Sequence, residues 1–344
     1  MTKDITKNKI LIVADRIVDR KFCDIIKYDF NTNVDLCYFD STVARRHIKC
    51  FRHLGYFISA IRAFKRRNDY RSIVFWQQFI GIYYGLLCSV LGVKVFPPSI
   101  VLQFIFKRRQ GISGWIQKNI FRYSLDACAL NYFICNSSGE KIYYAQQFGN
   151  NRAKKIIFKA LGYDIKKHGL SGNFMPYQKK DYFFSGGTSN RDYLTLLKAF
   201  EGTNECLVIA SLTRDMKGLK VGDNVKVFHN AFGEDFIELM ANAYAVIIPL
   251  NNPDISSGQL VLLTAMFLGK PIIITNGGCV RDYVDEDCAL LVRDHSVVDI
   301  KKSVAFLLQD RLRASDLAQK AAKRYEESFT LTQYAKRISA ILRT

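Results

Sequence analysis

Two hydrophobic patterns take turns along this chain: short, nearly unbroken apolar runs, and longer stretches in which apolar residues recur every three or four positions. Runs such as Lys9 to Ala14, Ser72 to Trp76 and Pro271 to Thr275 are too short for ordinary helices and too continuously apolar for half-solvated strands, so they predict parallel strands buried on both faces. In the first half, further strands are expected near Val34 to Phe39, Lys94 to Phe96, Ile100 to Phe106 and Tyr132 to Cys135, with helical stretches between them. The second half repeats the alternation, with strands at Tyr182 to Ser185, Leu207 to Ala210, Val225 to Phe228 and Ala245 to Leu250, and helices at Tyr193 to Phe200 and Phe236 to Asn242. A helical tail follows from Val298 onward. Alternation of this kind predicts an α/β protein built from doubly wound sheets.

The segment from Ala245 to Gly278 carries the most information, because it reads as strand, polar loop, helix, tight turn, strand. Ser256 or Ser257 is expected to cap the helix, and Gly269 before Lys270 and Pro271 to stop it. In a parallel sheet the start of such a helix lies at the carboxyl ends of the strands, where the backbone NH groups of Ser257, Gly258 and Gln259 can meet an anion.

Charge divides the chain. Residues 1 to 170 hold 29 Lys+Arg against 11 Asp+Glu, whereas residues 171 to 344 hold 21 against 20. A polyanionic partner is therefore expected for the first half alone. The polar stretch 168 to 181 separates the two regimes, giving an N-terminal domain over 1–170, a C-terminal domain over 171–325, and a final helix over 326–344 that crosses back to the first domain. Residues Arg45 to Arg67 combine apolar positions at helical spacing with Arg45, Arg46, Lys49, Arg52, Arg62, Lys65, Arg66 and Arg67. This is the composition of a helix lying in a membrane interface, and the basic, aromatic stretch Phe106 to Tyr123 adds to it. An ordinary amphipathic helix with a solvated basic face is the alternative. No RNA-binding strand motif, zinc finger or DNA-reading helix pattern accompanies the charge, so nucleic acid is not the expected partner. No run of 18 or more apolar residues and no cleavage-site pattern occurs. The expected location is the cytoplasm, peripheral to the inner face of the cell membrane. Nine scattered cysteines without a C-x-x-C pair suggest reduced thiols.

Three motifs of the second half carry the chemistry. Gly186, Gly187, Thr188, Ser189 and Arg191 form a glycine-rich loop between a strand and a helix, offering NH and hydroxyl donors and one permanent cation to a phosphate. Phe228, His229 and Asn230 end a strand in a polar trio that can flank a nucleobase. The third is the loop and helix containing Asp254, Ser256, Ser257, Gly258, Gln259 and Thr264.

In this order the motifs resemble the C-terminal domain of GT-B fold glycosyltransferases, most closely the large family 4 group, over roughly residues 156 to 340. The family stretch E-G-F-G-L-V-L-L-E-A-M-A-x-G-K-P-V-I is similar to Ser256 through Ile273 here. The family's two glutamates fall on Ser256 and Thr264, and its diphosphate clamp on Gly186, Gly187 and Arg191. In the first half, Asn136 to Glu140 and Gly162 to Asp164 resemble two further family landmarks.

The resemblance implies two Rossmann-like domains facing a cleft. It also implies transfer of a sugar from a UDP- or GDP-linked donor, as substrate and with no cofactor or metal, to a lipid-linked or polysaccharide-precursor acceptor. Ser256, Ser257, Gly258, Gln259 and Asp254 would orient the sugar, Thr264 the ribose, and Arg191 the leaving phosphate. Retention of configuration is the expected outcome. An inverting transfer would need a base, for which Asp15 and Glu140 are the candidates. Loss of both glutamates leaves open a non-catalytic subunit that binds a sugar nucleotide. Asp285-Glu-Asp287 matches the D-x-D metal pattern of another glycosyltransferase fold but reads as a solvated loop.

Overall fold

The computed structural model describes residues 9–39, 49–165 and 181–343, with the backbone alone for 49–51. The chain divides into two compact units, residues 1–160 with 331–344, and residues 161–330. The polar stretch expected to separate two domains lies almost wholly outside the described residues.

In the first unit β1 (Lys9–Ala14), α1 (Arg20–Phe30), β2 (Asn33–Tyr38), α2 (Lys49–Arg66), β3 (Ser72–Phe75) and α3 (Gln78–Val90) follow one another. Then come β4 (Ser99–Val101), α4 (Gly111–Asp126), β5 (Tyr132–Cys135), α5 (Ser138–Phe148), α6 (Asn150–Ala153) and β6 (Ile156–Phe158). The six strands pair in the order β2-β1-β3-β4-β5-β6, all in parallel. Residues 10–14 of β1 and all of β3 and β4 are buried, as strands covered on both faces must be.

Two strand expectations fail here. Lys94 to Phe96 is not a strand. It runs into Pro97-Pro98, whose missing NH groups and fixed φ suit extended chain outside a ladder. The run Ile100 to Phe106 pairs only over Ser99–Val101, because Gln103 turns the chain at a φ of 54°.

The second unit contains β7 (Phe183–Gly186), α7 (Tyr193–Phe200), β8 (Leu207–Ser211), β9 (Val225–His229), α8 (Glu234–Ala241), β10 (Ala245–Ile248), α9 (Gln259–Phe267), β11 (Ile272–Thr275), β12 (Leu290–Val292), α10 (Val297–Gln309) and α11 (Arg311–Ser328). Its strands pair in the order β12-β11-β10-β7-β8-β9, again all in parallel. The winding runs outward from β7 through β8 to β9, then restarts on the other side at β10. The β7–β10 junction is thus a topological switch point, where the loops that leave the two strands part in opposite directions and open a crevice beyond their carboxyl ends. In the first unit the corresponding junction lies between β1 and β3.

The last helix, α12 (Leu331–Leu342), belongs to the first unit. Tyr334, Ala335 and Ile338 are fully buried, and the Tyr334 ring lies 6.1 Å from that of Phe22 on α1. Arg343 donates to the Asp29 carbonyl at 3.1 Å and anchors the end of the helix. The eight cysteines with described side chains are free thiols. No described helix is long and apolar enough to cross a membrane.

Removing buried methylenes beside α1 should be expensive. Ile338→Ala is expected to lower the unfolding free energy by roughly 2–5 kcal/mol, the usual cost of a large-to-small change in a core. A urea titration would read the shift, and an unchanged midpoint would show that α12 adds nothing to the first unit's core.

Candidate active site

The crevice at the β7–β10 switch point is where two of the three sequence motifs meet. After β7 the chain passes through Gly186, Gly187, Thr188, Ser189 and Asn190 before α7, and Arg191 folds back over this loop. Its Nε donates to the Gly186 carbonyl at 2.9 Å and its Nη1 to the Ser189 carbonyl at 2.7 Å. Gly187 has a φ of 107°, and a Cβ there would lie 2.7 Å from Arg191 Nη2. Gly258, at a φ of 84°, presents its Cα hydrogens to the same guanidinium, 3.5 Å from where its Cβ would be. Both glycines are needed, for the backbone angle and for the room. No described carboxylate pairs with Arg191. Burial pushes its pKa down, with Tyr193 pulling slightly the other way. Tyr193 donates its hydroxyl proton to the Gly187 carbonyl at 2.5 Å and stiffens the loop.

Asn190 ties this loop to the one after β10. Its amide donates to the Asn252 carbonyl at 2.7 Å and to Ser257 Oγ at 2.8 Å, while its Oδ1 accepts from the Asn252 NH at 3.0 Å. The backbone of Arg191 forms an antiparallel bridge with Leu250. The Gly186 to Arg191 loop and the Asn251 to Gly258 loop are thereby one rigid body.

The start of α9 differs from expectation. Gly258 is the cap, in the left-handed region, and no side chain caps the helix; its first turn carries no acidic residue. Ser256 and Ser257 do not cap because their hydroxyls are engaged elsewhere. Ser256 Oγ accepts from Gln259 Nε2 at 2.5 Å, and Ser257 donates to the Ile255 carbonyl at 3.2 Å. Thr264 is buried and donates to the Leu260 carbonyl at 2.7 Å, one turn back. Asp254 is exposed, and its NH is held by Asn252 Oδ1 at 2.9 Å. Thr188 and Ser189 are exposed on the glycine-rich loop.

The third motif ends β9. His229 and Asn230 are exposed and Phe228 is half-buried. His229, Thr213, Lys217 and Lys226 line a cavity of about 480 Å³. One long-range contact at the start of α7 has no signature in the chain. His295 Nδ1 lies 2.6 Å from Asp192 Oδ2, and the other oxygen of Asp192 accepts the Thr195 NH at 3.0 Å as the cap of α7. The cap thus keeps its orientation from a residue 103 positions away, directly behind Arg191.

The acidic turn between β11 and β12 is used structurally. Asp285 pairs with Arg324 at 2.6 Å and Glu286 with Arg281 at 2.7 Å. The hydrogen bond from Arg324 holds the Asp285 carboxyl below its usual range. No group of three or more potential metal-binding side chains occurs among the described residues.

In the first unit, Asp15 follows β1 and is buried, accepting the Tyr56 hydroxyl at 3.1 Å. Glu140 is also buried, but both its oxygens are occupied. One accepts the Asn136 NH at 3.1 Å and the other the Tyr144 hydroxyl at 2.9 Å, while Ser137 Oγ accepts the Glu140 NH at 3.0 Å. Ser137 thus caps the helix while Glu140 reaches back to the NH of the residue before the cap, a near relative of the capping box that gives Glu140 a structural task.

Of the basic residues expected to meet a membrane on α2, Arg45 and Arg46 lie outside the described residues, as does the side chain of Lys49. Arg62 and Lys65 are exposed and Arg52 is half-buried. Arg66 is engaged by Tyr70 and Asp35. Arg67 donates to the Phe64 carbonyl at 2.7 Å and sits 4.0 Å above the Phe64 ring.

Residues 207–324 match the family model of glycosyl transferases group 1. No curated protein matches the chain. Among solved structures, Anabaena HepE in complex with UDP-glucose is similar at 14% identity over 97% of this chain and 99% of its own, with a TM-score of 0.66. Sucrose-phosphate synthase from Thermosynechococcus elongatus is similar at 13% identity over 98% of each chain, with a TM-score of 0.71. The lipopolysaccharide outer core galactosyltransferase WaaB, in its apo form, is similar at 11% identity over 98% of this chain and 100% of its own, with a TM-score of 0.61. Two parallel doubly wound sheets, this shared fold and the family match together identify the chain as a glycosyltransferase of the GT-B fold whose second unit carries the glycosyl transferases group 1 domain.

Proposed function

We propose that the second unit binds a UDP- or GDP-linked sugar and that the chain transfers the sugar, with retention, to a lipid-linked or polysaccharide-precursor acceptor taken by the first unit at the cytoplasmic face of a membrane. The observation that carries this reading is the Arg191 guanidinium. It is desolvated, held by carbonyl oxygens between two positive-φ glycines, and free of any described carboxylate partner. A half-buried guanidinium with no counter-charge is a ready partner for an anion. It stands at the switch-point crevice beside the uncapped start of α9, where a nucleoside diphosphate finds a cation and free NH groups together. The complexes of HepE with UDP and UDP-glucose support a nucleotide-sugar ligand for the same fold.

In the proposed transfer the bond between the sugar's anomeric carbon and the leaving phosphate oxygen breaks. A new bond forms on the same face to the acceptor hydroxyl oxygen, whose proton passes to the leaving phosphate. Arg191 and the NH groups of the α9 start stabilise the negative charge that grows on that phosphate, so the scheme includes no metal. Ser256, Ser257, Gln259 and Asp254 orient the sugar, Thr264 meets the ribose, and Phe228, His229 and Asn230 flank the base. Engagement of Glu140 by the Asn136 NH and the Tyr144 hydroxyl favours this route over an inverting one, and leaves Asp15 as the carboxylate an inverting route would use.

Ser256 and Thr264, standing where the family carries glutamates, favour a second reading, a subunit that binds a sugar nucleotide without turning it over. Calorimetry with UDP, GDP and their sugars, run beside a donor-hydrolysis assay, separates the two. Tight binding with no turnover selects the subunit.

Arg191→Gln should weaken UDP affinity by roughly 10- to 100-fold, the worth of a hydrogen bond to a charged group. Unchanged affinity would remove Arg191 from the donor site. Gly258→Ala tests the geometry, since it costs about 1–2 kcal/mol of backbone strain in the left-handed region, crowds Ile248 and sets a methyl group against the Arg191 guanidinium. Gly269→Ala, at a φ of 59° with open space around it, is the control for strain alone. Gly258→Ala should raise the donor KM and Gly269→Ala should not; equal effects would refute a site built around Gly258.

A further inference from the structure

Helix α4 has two apolar faces, and the first unit uses only one. Gly114, Phe121, Ser124 and Leu125 are buried, with the Phe121 ring 5.1 Å from Phe106 and 5.5 Å from Phe104. The other face carries Ile112, Trp115, Ile116, Ile120 and Tyr123, which are 80%, 69%, 47%, 37% and 67% exposed. Steps of three and four residues place all five on one stripe of the helix. Single exposed apolar residues are ordinary, but a continuous stripe of this size signals a partner.

The surroundings of the stripe name that partner's chemistry. Lys107, Arg108, Arg109, Lys118 and Arg122 border it, and the ion pairs of the first unit's described residues involve none of them. No acidic residue lies between Asp69 and Asp126 in the chain. The basic loop is also held in place. Gly111 turns it at a φ of 69°, and the Arg109 carbonyl comes within 2.0 Å of where a Cβ on Gly114 would be. Arg108, Arg109, Trp115 and Lys118 line a cavity of about 640 Å³. On α2, by contrast, Arg66 and Arg67 are spent on local contacts.

We propose that this face of α4 seats the first unit on an anionic lipid bilayer. Ile112, Trp115, Ile116 and Tyr123 enter the boundary between headgroups and acyl chains, and Arg108, Arg109 and Lys118 take lipid phosphates. The aromatic and aliphatic side chains bury area in the boundary, and the long basic side chains keep their charge at headgroup level. The surface serves the membrane-face reading of the transfer and rests on it for its purpose. Its test does not involve the donor site.

Co-sedimentation of the full-length protein with vesicles of phosphatidylcholine alone, or with added phosphatidylglycerol, measures the seat directly. Binding should require phosphatidylglycerol. Arg108→Gln with Arg109→Gln should weaken it on the order of tenfold or more, at roughly fivefold for each basic residue lost near an anionic surface. Trp115→Ala should weaken it too and abolish the blue shift of tryptophan fluorescence on vesicles, since Trp76, the other tryptophan, is half-buried in the fold. Donor hydrolysis in solution should be unchanged in both variants, which separates failure of the seat from failure of the donor site. Equal binding to both vesicle types, full binding by the arginine variant, or displacement of the protein from vesicles by a short single-stranded oligonucleotide at physiological salt would overturn the proposal.

Discussion

Parallel pairing of β7 with β10 reverses the winding of the second unit, and the geometry of the candidate site follows from that junction. The loops leaving two neighbouring parallel strands start side by side and must turn apart to reach helices on opposite faces. Here they are stitched together before they separate, by the Asn190 amide on one side and Asn252 and Ser257 on the other. Arg191 sits inside the stitch. Its position is therefore set by backbone hydrogen bonds and a strand register, and not by the rotamer preferences of a long surface side chain.

That setting decides what the cation can do. A guanidinium in water is an indifferent ligand for phosphate, because water competes for both partners. Partial desolvation of Arg191 raises the cost of leaving it unpaired, and the two carbonyls that hold it take two of its five N–H donors without neutralising its charge. The result is a preorganised positive site with hydrogen-bond partners for orientation and none for charge. Glu140 is spent on structure in the same way, since its buried carboxylate is held by a backbone NH and a tyrosine hydroxyl at the start of its own helix.

Much of this was legible along the chain, for a physical reason. Strands buried on both faces must be continuously apolar, so β1, β3, β10 and β11 announce themselves, and the doubly wound α/β plan with helices on both sides of each sheet follows. What sequence could not supply was the use of hydroxyls and the closing of long loops. Ser256 and Ser257 are ideal cap residues by type, yet Gln259 and Ile255 occupy them, and the left-handed Gly258 ends the turn in their place. The strand expected at Lys94 to Phe96 was apolar enough, but two prolines behind it remove the donors a ladder needs. His295 and Asp192, 103 residues apart, have no local signature at all. Glycines 186, 187 and 258 could be read as room for an anion; that the room is shared with an arginine from the same loop became visible only in three dimensions.

The chain carries its positive charge in two physically different forms, and the proposed roles, an anionic donor on one unit and an anionic surface on the other, divide along that difference. The exposed cations around α4 are screened over about 8 Å at physiological ionic strength, so a single soluble nucleotide gains little from any one of them. A bilayer presents many phosphates together and lets an apolar stripe bury itself at the same time, so weak individual terms add over one contact. Arg191 works the other way, through one desolvated charge whose partners are already in place. A donor discriminates between these environments by geometry, a bilayer by area. The near-neutral second half and the strongly basic first half are in keeping with that proposed division.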